Sequence, residues 1–98
     1  MNNTVHLQPD AEIDIEEAAA WYELQRKRLG HEFLDEVLST FSQIEDNPYI
    51  YPVVYRNIRR AVMSRFPFAV YYLLNEEAAV VIAVMHGSRH PARWRKRI

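Results

Sequence analysis

The sequence predicts an α+β fold in which a helical hairpin packs on a small antiparallel sheet, in the order β-α-α-β-β-β. Three observations lead there. Apolar residues recur at helical spacing through the first half, "FPFAVYYLL" and "AAVVIAVM" are strand-like runs in the second half, and the pieces between are hairpin-sized.

Thr4–Leu7 is short and holds β-branched residues, which fits a first strand. Pro9-Asp10 then supplies a stop and a helix N-cap, because the Asp10 carboxylate can accept a bond from an orphan backbone N–H. Glu12, Asp14, Glu16 and Glu17 fill the first turns, where the helix dipole favours negative charge. Ile13, Glu17, Ala20, Trp21 and Leu24 lie on one stripe, apolar except for Glu17, and are expected to face the core. Arg26, Lys27 and Arg28 precede Gly30, the expected C′ residue, so a helix is predicted over about 10–29.

A second helix follows at once. Leu34, Val37, Leu38, Phe41 and Ile44 repeat at helical spacing, leaving Glu32, Asp35, Glu36, Ser39 and Gln43 for solvent. Asn47-Pro48 ends it, since the residue before a proline is pushed out of the α region. The two apolar stripes must be buried on the strands downstream. Val53–Met63 alternates imperfectly, with Val54, Ile58 and Val62 sharing a face with Arg56 and Arg60. Phe66–Leu74 and Ala78–Met85 complete the sheet, and the latter is apolar on both faces, as a central strand would be.

A length of 98 residues fits one domain spanning 1–98. The absence of cysteine excludes disulfides and thiolate metal sites. The start of the chain lacks the basic and apolar regions of a signal peptide, and the longest wholly apolar run, Ala78–Met85, is too short for a helix to span a bilayer. A cytoplasmic protein with no membrane contact is expected. Charge is divided between the halves. Residues 1–50 hold 11 acidic and 3 basic side chains, giving −8, and residues 51–98 hold 2 and 9, giving +7. Such a division points to an anionic partner for the second half, or to acidic helices neutralising basic strands within the domain.

In the segments "AAAWYEL" (18–24), "FLDEVL" (33–38), "NPYIYPVVY" (47–55), "RFPFAVYY" (65–72) and "AVMHGSRHPARW" (83–94), the chain resembles the RelE/ParE superfamily of bacterial toxins, and within it the ParE-like branch. The order and spacing of these segments cover nearly the whole chain. The resemblance implies a toxin of a type II toxin–antitoxin module, neutralised by a cognate antitoxin that lays a chain segment across it. For the ParE-like branch it implies poisoning of DNA gyrase by binding. For the RelE-like branch it implies cleavage of mRNA on the ribosome, the alternative function. A non-toxic scaffold that only binds its antitoxin is a third reading.

The residues favour binding over cleavage. The strand position of an essential arginine in the RelE-like branch corresponds to Ala69, and the position near that branch's C-terminal tyrosine corresponds to Trp94, whose indole cannot act as an acid. The nuclease alternative therefore rests on His86, Arg65 and Arg89 in acid–base and charge-stabilising roles. His86 and His90 have H-x₃-H spacing, but Gly87 and Pro91 preclude a helical metal face and no third ligand is evident, so neither metal nor cofactor is expected. The binding reading takes Arg60, Arg65, Arg89, Arg93 and Trp94 as contacts to antitoxin or target, because arginine and tryptophan anchor protein interfaces. Alternation sends Arg59 to the face opposite Arg56 and Arg60, where it could pair with the acidic helices.

Overall fold

A proline sets the point at which the chain leaves its first strand. The computed structural model, which describes residues 4–76 and 78–98, places β1 at Thr4–Leu7 and α1 at Pro9–Gln25. Pro9 suits the first helical turn, where its missing N–H breaks no helical bond and its φ is preset. Gln8 is the N-cap residue in place of Asp10, which lies in the first turn.

α2 runs from Leu29 to Asp46. The left-handed residue at the α1–α2 corner is Arg28 (φ 76°), not Gly30. Gly30 sits inside the first turn of α2, where an added Cβ would collide with the carbonyl oxygen of Ala19 on α1. It is needed for helix crossing, not for capping. Glu23 of α1 supplies the cap, accepting the backbone N–H groups of Arg28 (2.9 Å) and Gly30 (3.0 Å). The Arg28 N–H bond is the main reason its carboxyl titrates below the ordinary range.

The inward face of α1 differs from expectation. Ala11, Ile15 and Ala18 are buried with Tyr22 packed beside them, whereas Ile13, Trp21 and Leu24 are 49, 57 and 84 % exposed. Alanines carry little hydrophobic signal, yet their small side chains let α1 lie close to the sheet and to α2. On α2, Val37, Phe41 and Ile44 are buried as expected and are joined by Phe33 and Thr40, while Leu34 and Leu38 face outward. Asn47 is the C-cap, ahead of Pro48.

The sheet has five strands, one more than the sequence suggests, because Val53–Met63 folds back on itself. β2 (Val53–Tyr55) and β3 (Ile58–Val62) pair antiparallel around a two-residue turn at Arg56-Asn57, with Arg56 at φ 51°. Tight hairpin turns of this kind normally use Gly or Asn at positive φ, so an arginine there conceals the turn. β4 (Phe68–Leu74) and β5 (Ala78–His86) complete the order β1-β5-β4-β3-β2. The sheet is mixed, not purely antiparallel, since β1 runs parallel to β5 at the edge.

β5 carries a bulge: Tyr71 pairs with Ala83 but Tyr72 with Val81, leaving Ile82 as the extra residue. One inserted residue inverts the side-chain phase. Ala79, Val81 and Val84 thus all belong to the core beneath the helices, while Ile82, Ala83 and Met85 pack on the other face. Unbroken apolar character is what a bulged strand covered on both faces requires.

Two cores result. Under the helices, Tyr22, Phe33, Phe66 and Phe68 form an aromatic cluster, with Tyr22–Phe66 and Phe33–Phe66 centroids 4.8 and 5.2 Å apart. Tyr72, fully buried, donates its hydroxyl to the Pro48 carbonyl at 2.6 Å and so ties β4 to the end of α2. The far face is closed by a short α3 (Ala92–Arg95), whose Trp94 stacks on Tyr71 with centroids 4.5 Å apart. No helix among the described residues is long and apolar enough to cross a membrane.

Candidate partner-binding groove

β1 pairs with β5 only as far as Val81, but β5 continues to His86, so its last residues border open space. Two side chains occupy the bare edge. The Asp14 carboxylate on α1 accepts the Val84 N–H at 3.0 Å, and the Arg97 guanidinium donates to the Ile82 carbonyl at 3.0 Å. The same two groups form a bidentate pair at 2.6 and 3.1 Å. Their side chains are only 12 and 16 % exposed, so the pair is shielded. Arg97 titrates above its ordinary range chiefly because Asp14 accepts its hydrogen bonds.

Beside this pair lies a groove of about 890 Å³ between α1, the end of β5 and the start of α3. Its apolar lining comes from Ile13, Trp21, Phe68 and Met85. Glu17 stands on the α1 side, while Arg89 and Arg93 stand opposite. Neither arginine has a carboxylate partner among the described residues. Ile13 and Trp21, assigned to the core by periodicity, are thus groove walls, while Leu24 faces solvent. Ile13 and Trp21, with Asp14 and Glu17, are the site residues that sequence reasoning missed. The available signal was the second apolar stripe on α1, Ala11-Ile15-Ala18-Tyr22, which made Ile13 and Trp21 redundant as core.

The other predicted residues separate. Arg89 and Arg93 line the groove. Arg60 lies on the far face of the sheet, beside a recess of about 300 Å³ formed with Val62, Ala69 and Tyr71. Arg65 lines neither concavity: its guanidinium pairs with Glu32 at 2.9 Å, and its N–H and that of Ser64 are held by the Glu36 carboxylate at 3.0 and 2.9 Å. The Arg65 hydrogen bond is the leading cause of a lowered Glu32 pKa, with Arg26 second. Trp94, 3 % exposed and stacked on Tyr71, is a core residue and presents no surface to a partner. Arg59 donates to the carbonyls of Tyr49 and Tyr51 at 3.2 and 2.7 Å and makes no helix ion pair among the described residues. Among the described residues, ion pairs between the acidic and basic halves form only where Arg97 reaches Asp14 and Asp10 and where Arg65 reaches Glu32.

His86, Arg65 and Arg89 are not gathered around one reaction centre. The bulge turns His86 toward the helix side, where its ring meets Phe68 edge-on at 5.5 Å. Its Nδ1 accepts the Ser88 N–H at 3.0 Å and also meets the Ser88 hydroxyl at 2.8 Å, so the neutral ring carries its proton on Nε2. His90 Nδ1 likewise accepts the Ala92 N–H at 3.1 Å. Both imidazoles serve the turn into α3.

A helical hairpin thus lies over a mixed sheet, with a charged groove at one sheet edge. The family model described as "ParE toxin of type II toxin-antitoxin system, parDE" matches residues 5–91, and the chain belongs to that family. Among solved structures it is similar to the chromosomal ParDE toxin–antitoxin system from P. aeruginosa. The TM-score is 0.77 at 9 % identity, covering 86 % of this chain and 95 % of that one. At that identity the likeness concerns the fold. No curated protein matches the sequence.

Proposed function

We propose that this chain is a toxin that acts by binding, that a cognate antitoxin neutralises it by laying a segment into the α1–β5–α3 groove, and that its cellular target is DNA gyrase. The carrying observation for the antitoxin site is the groove itself, lined by two arginines that lack carboxylate partners among the described residues and by an apolar wall that includes the exposed Trp21 and Ile13. Burying that wall while pairing Arg89 and Arg93 suits a segment bearing both apolar and acidic side chains. The gyrase target rests on family membership. Inhibition by binding is favoured over RNA cleavage because Arg65 is committed to Glu32 and Trp94 to the core.

The test uses the protein encoded next to this gene. Its Kd for the wild-type chain is measured by titration calorimetry, then repeated with Arg89→Glu/Arg93→Glu. Loss of several kcal/mol, on the order of 2 or more per buried charge pair, is expected. An unchanged Kd would remove the groove from the reading. Independently, purified toxin should inhibit gyrase supercoiling and leave mRNA intact in a translating extract; the opposite pattern restores the nuclease.

A further inference from the structure

The far face of the sheet carries a second set of cations, none of which lines the groove. Arg56 and Arg95 both approach the ring of Tyr55, with their guanidinium carbons 5.1 and 4.2 Å from its centroid. Arg60 stands on the same face, across from Tyr71 in the neighbouring strand and next to the recess. All three are exposed, and none has a carboxylate partner among the described residues. By contrast Arg59, Arg65 and Arg97 are each held by oxygen acceptors. Two guanidinium groups gathered on one ring repel each other, and a stacked guanidinium is fixed in place ahead of any ligand. Arg56 moreover occupies a positive-φ turn position that disfavours its own side chain. The sequence thus places like charges together, one of them at a strained position, on the face away from the acidic helices.

We infer that this arginine rim is a contact surface for the phosphodiester backbone of nucleic acid, read without regard to sequence. A closely spaced row of phosphates supplies the density of negative charge that the gathered cations lack, and planar guanidinium groups take phosphate oxygens in pairs. The Tyr55 ring is already occupied by arginine, so base stacking is not the mode. The surface is independent of the antitoxin reading: it shares no arginine with the groove.

The test measures fluorescence anisotropy of a labelled 30-base-pair duplex of arbitrary sequence with the intact chain at 50 and 200 mM KCl. Arg56→Gln/Arg60→Gln/Arg95→Gln should bind at least tenfold more weakly at 50 mM. Three lost phosphate contacts correspond to a salt slope smaller by about 2.7, so over this range the wild type should lose roughly 40-fold more affinity than the variant. Arg89→Gln/Arg93→Gln should leave binding in place. Arg56→Asn, which suits the turn and keeps the fold, should lower the slope by about one alone. The inference is overturned if the wild type does not bind at 50 mM, or if the triple variant keeps wild-type affinity and slope. It also falls if the groove variant loses the duplex instead, or if polyglutamate displaces the duplex at equal charge, which would assign the rim to an acidic protein.

Discussion

Replacing Tyr72 by Phe removes one oxygen and produces two separable effects. Near pH 7 the Pro48 carbonyl loses the 2.6 Å bond from a fully buried phenol. An orphaned buried acceptor costs about 1–3 kcal/mol, so the variant should be about 2 kcal/mol less stable. The second effect appears in alkali. Burial, the largest influence, pushes the Tyr72 hydroxyl up from 10.0 to about 12 against an opposing pull from Arg59. Below pH 10 the phenol is protonated in both folded and unfolded chains and contributes no pH dependence. Between pH 10 and 12 the unfolded chain releases the proton while the folded chain holds it, so stability falls as pH rises. The loss is about 1.4 kcal/mol at pH 11 and about 2.3 kcal/mol at pH 12. Tyr72→Phe lacks this loss, while every other titrating group is common to both proteins. Urea unfolding at pH 7, 9, 10 and 11 should therefore show a gap of about 2 kcal/mol that narrows to below about 1 kcal/mol by pH 11. A gap that stays constant across that range would refute the assignment of the alkaline limb to Tyr72.

Removing Arg97 as Arg97→Ala leaves the shielded Asp14 carboxylate without its cation and should cost about 3 kcal/mol in urea unfolding, with Asp14→Asn/Arg97→Gln recovering part of it. Gly30→Ala should destabilise by roughly 1–3 kcal/mol, although alanine is the better helix former, because its Cβ meets the Ala19 backbone. Trp94→Ala opens the far core and should cost about 3–5 kcal/mol. Trp94→Phe should instead fold and remove the blue-shifted part of the fluorescence, leaving the emission of exposed Trp21.

The layers of this fold were legible because their signals are local. Val37, Phe41 and Ile44 recur on one face of α2, Pro48 stops it, and the short β4 and β5 runs are rich in aromatic and β-branched residues respectively. The extra hairpin was hidden because Arg56, not glycine, takes the positive φ at its tip. The bulge at Ile82 leaves no trace where both phases of the strand are apolar. α1 misled for a physical reason: two of its buried residues are alanines while the large Ile13 and Trp21 line a groove, so size ranked the two faces in the wrong order. At the candidate site, the charge of Arg89 and Arg93 is visible in the sequence, whereas the role of Asp14 is not, since its partner Arg97 is distant in the chain. Trp94 looked like an interface anchor because nothing in the sequence shows that Tyr71 lies beneath it.

The Asp14–Arg97 pair joins residues 83 positions apart. That separation orders events during synthesis. α1 and α2 meet through neighbouring residues and can associate while the sheet is still being translated. β1 must wait for β5, and the groove edge must wait longer still, until residue 97 has left the ribosome. Arg93, on the opposite groove wall, emerges only four residues before it. A nascent chain therefore carries no finished groove. On the proposed reading, a segment that binds there meets a complete site only once Arg97 has emerged and paired with Asp14.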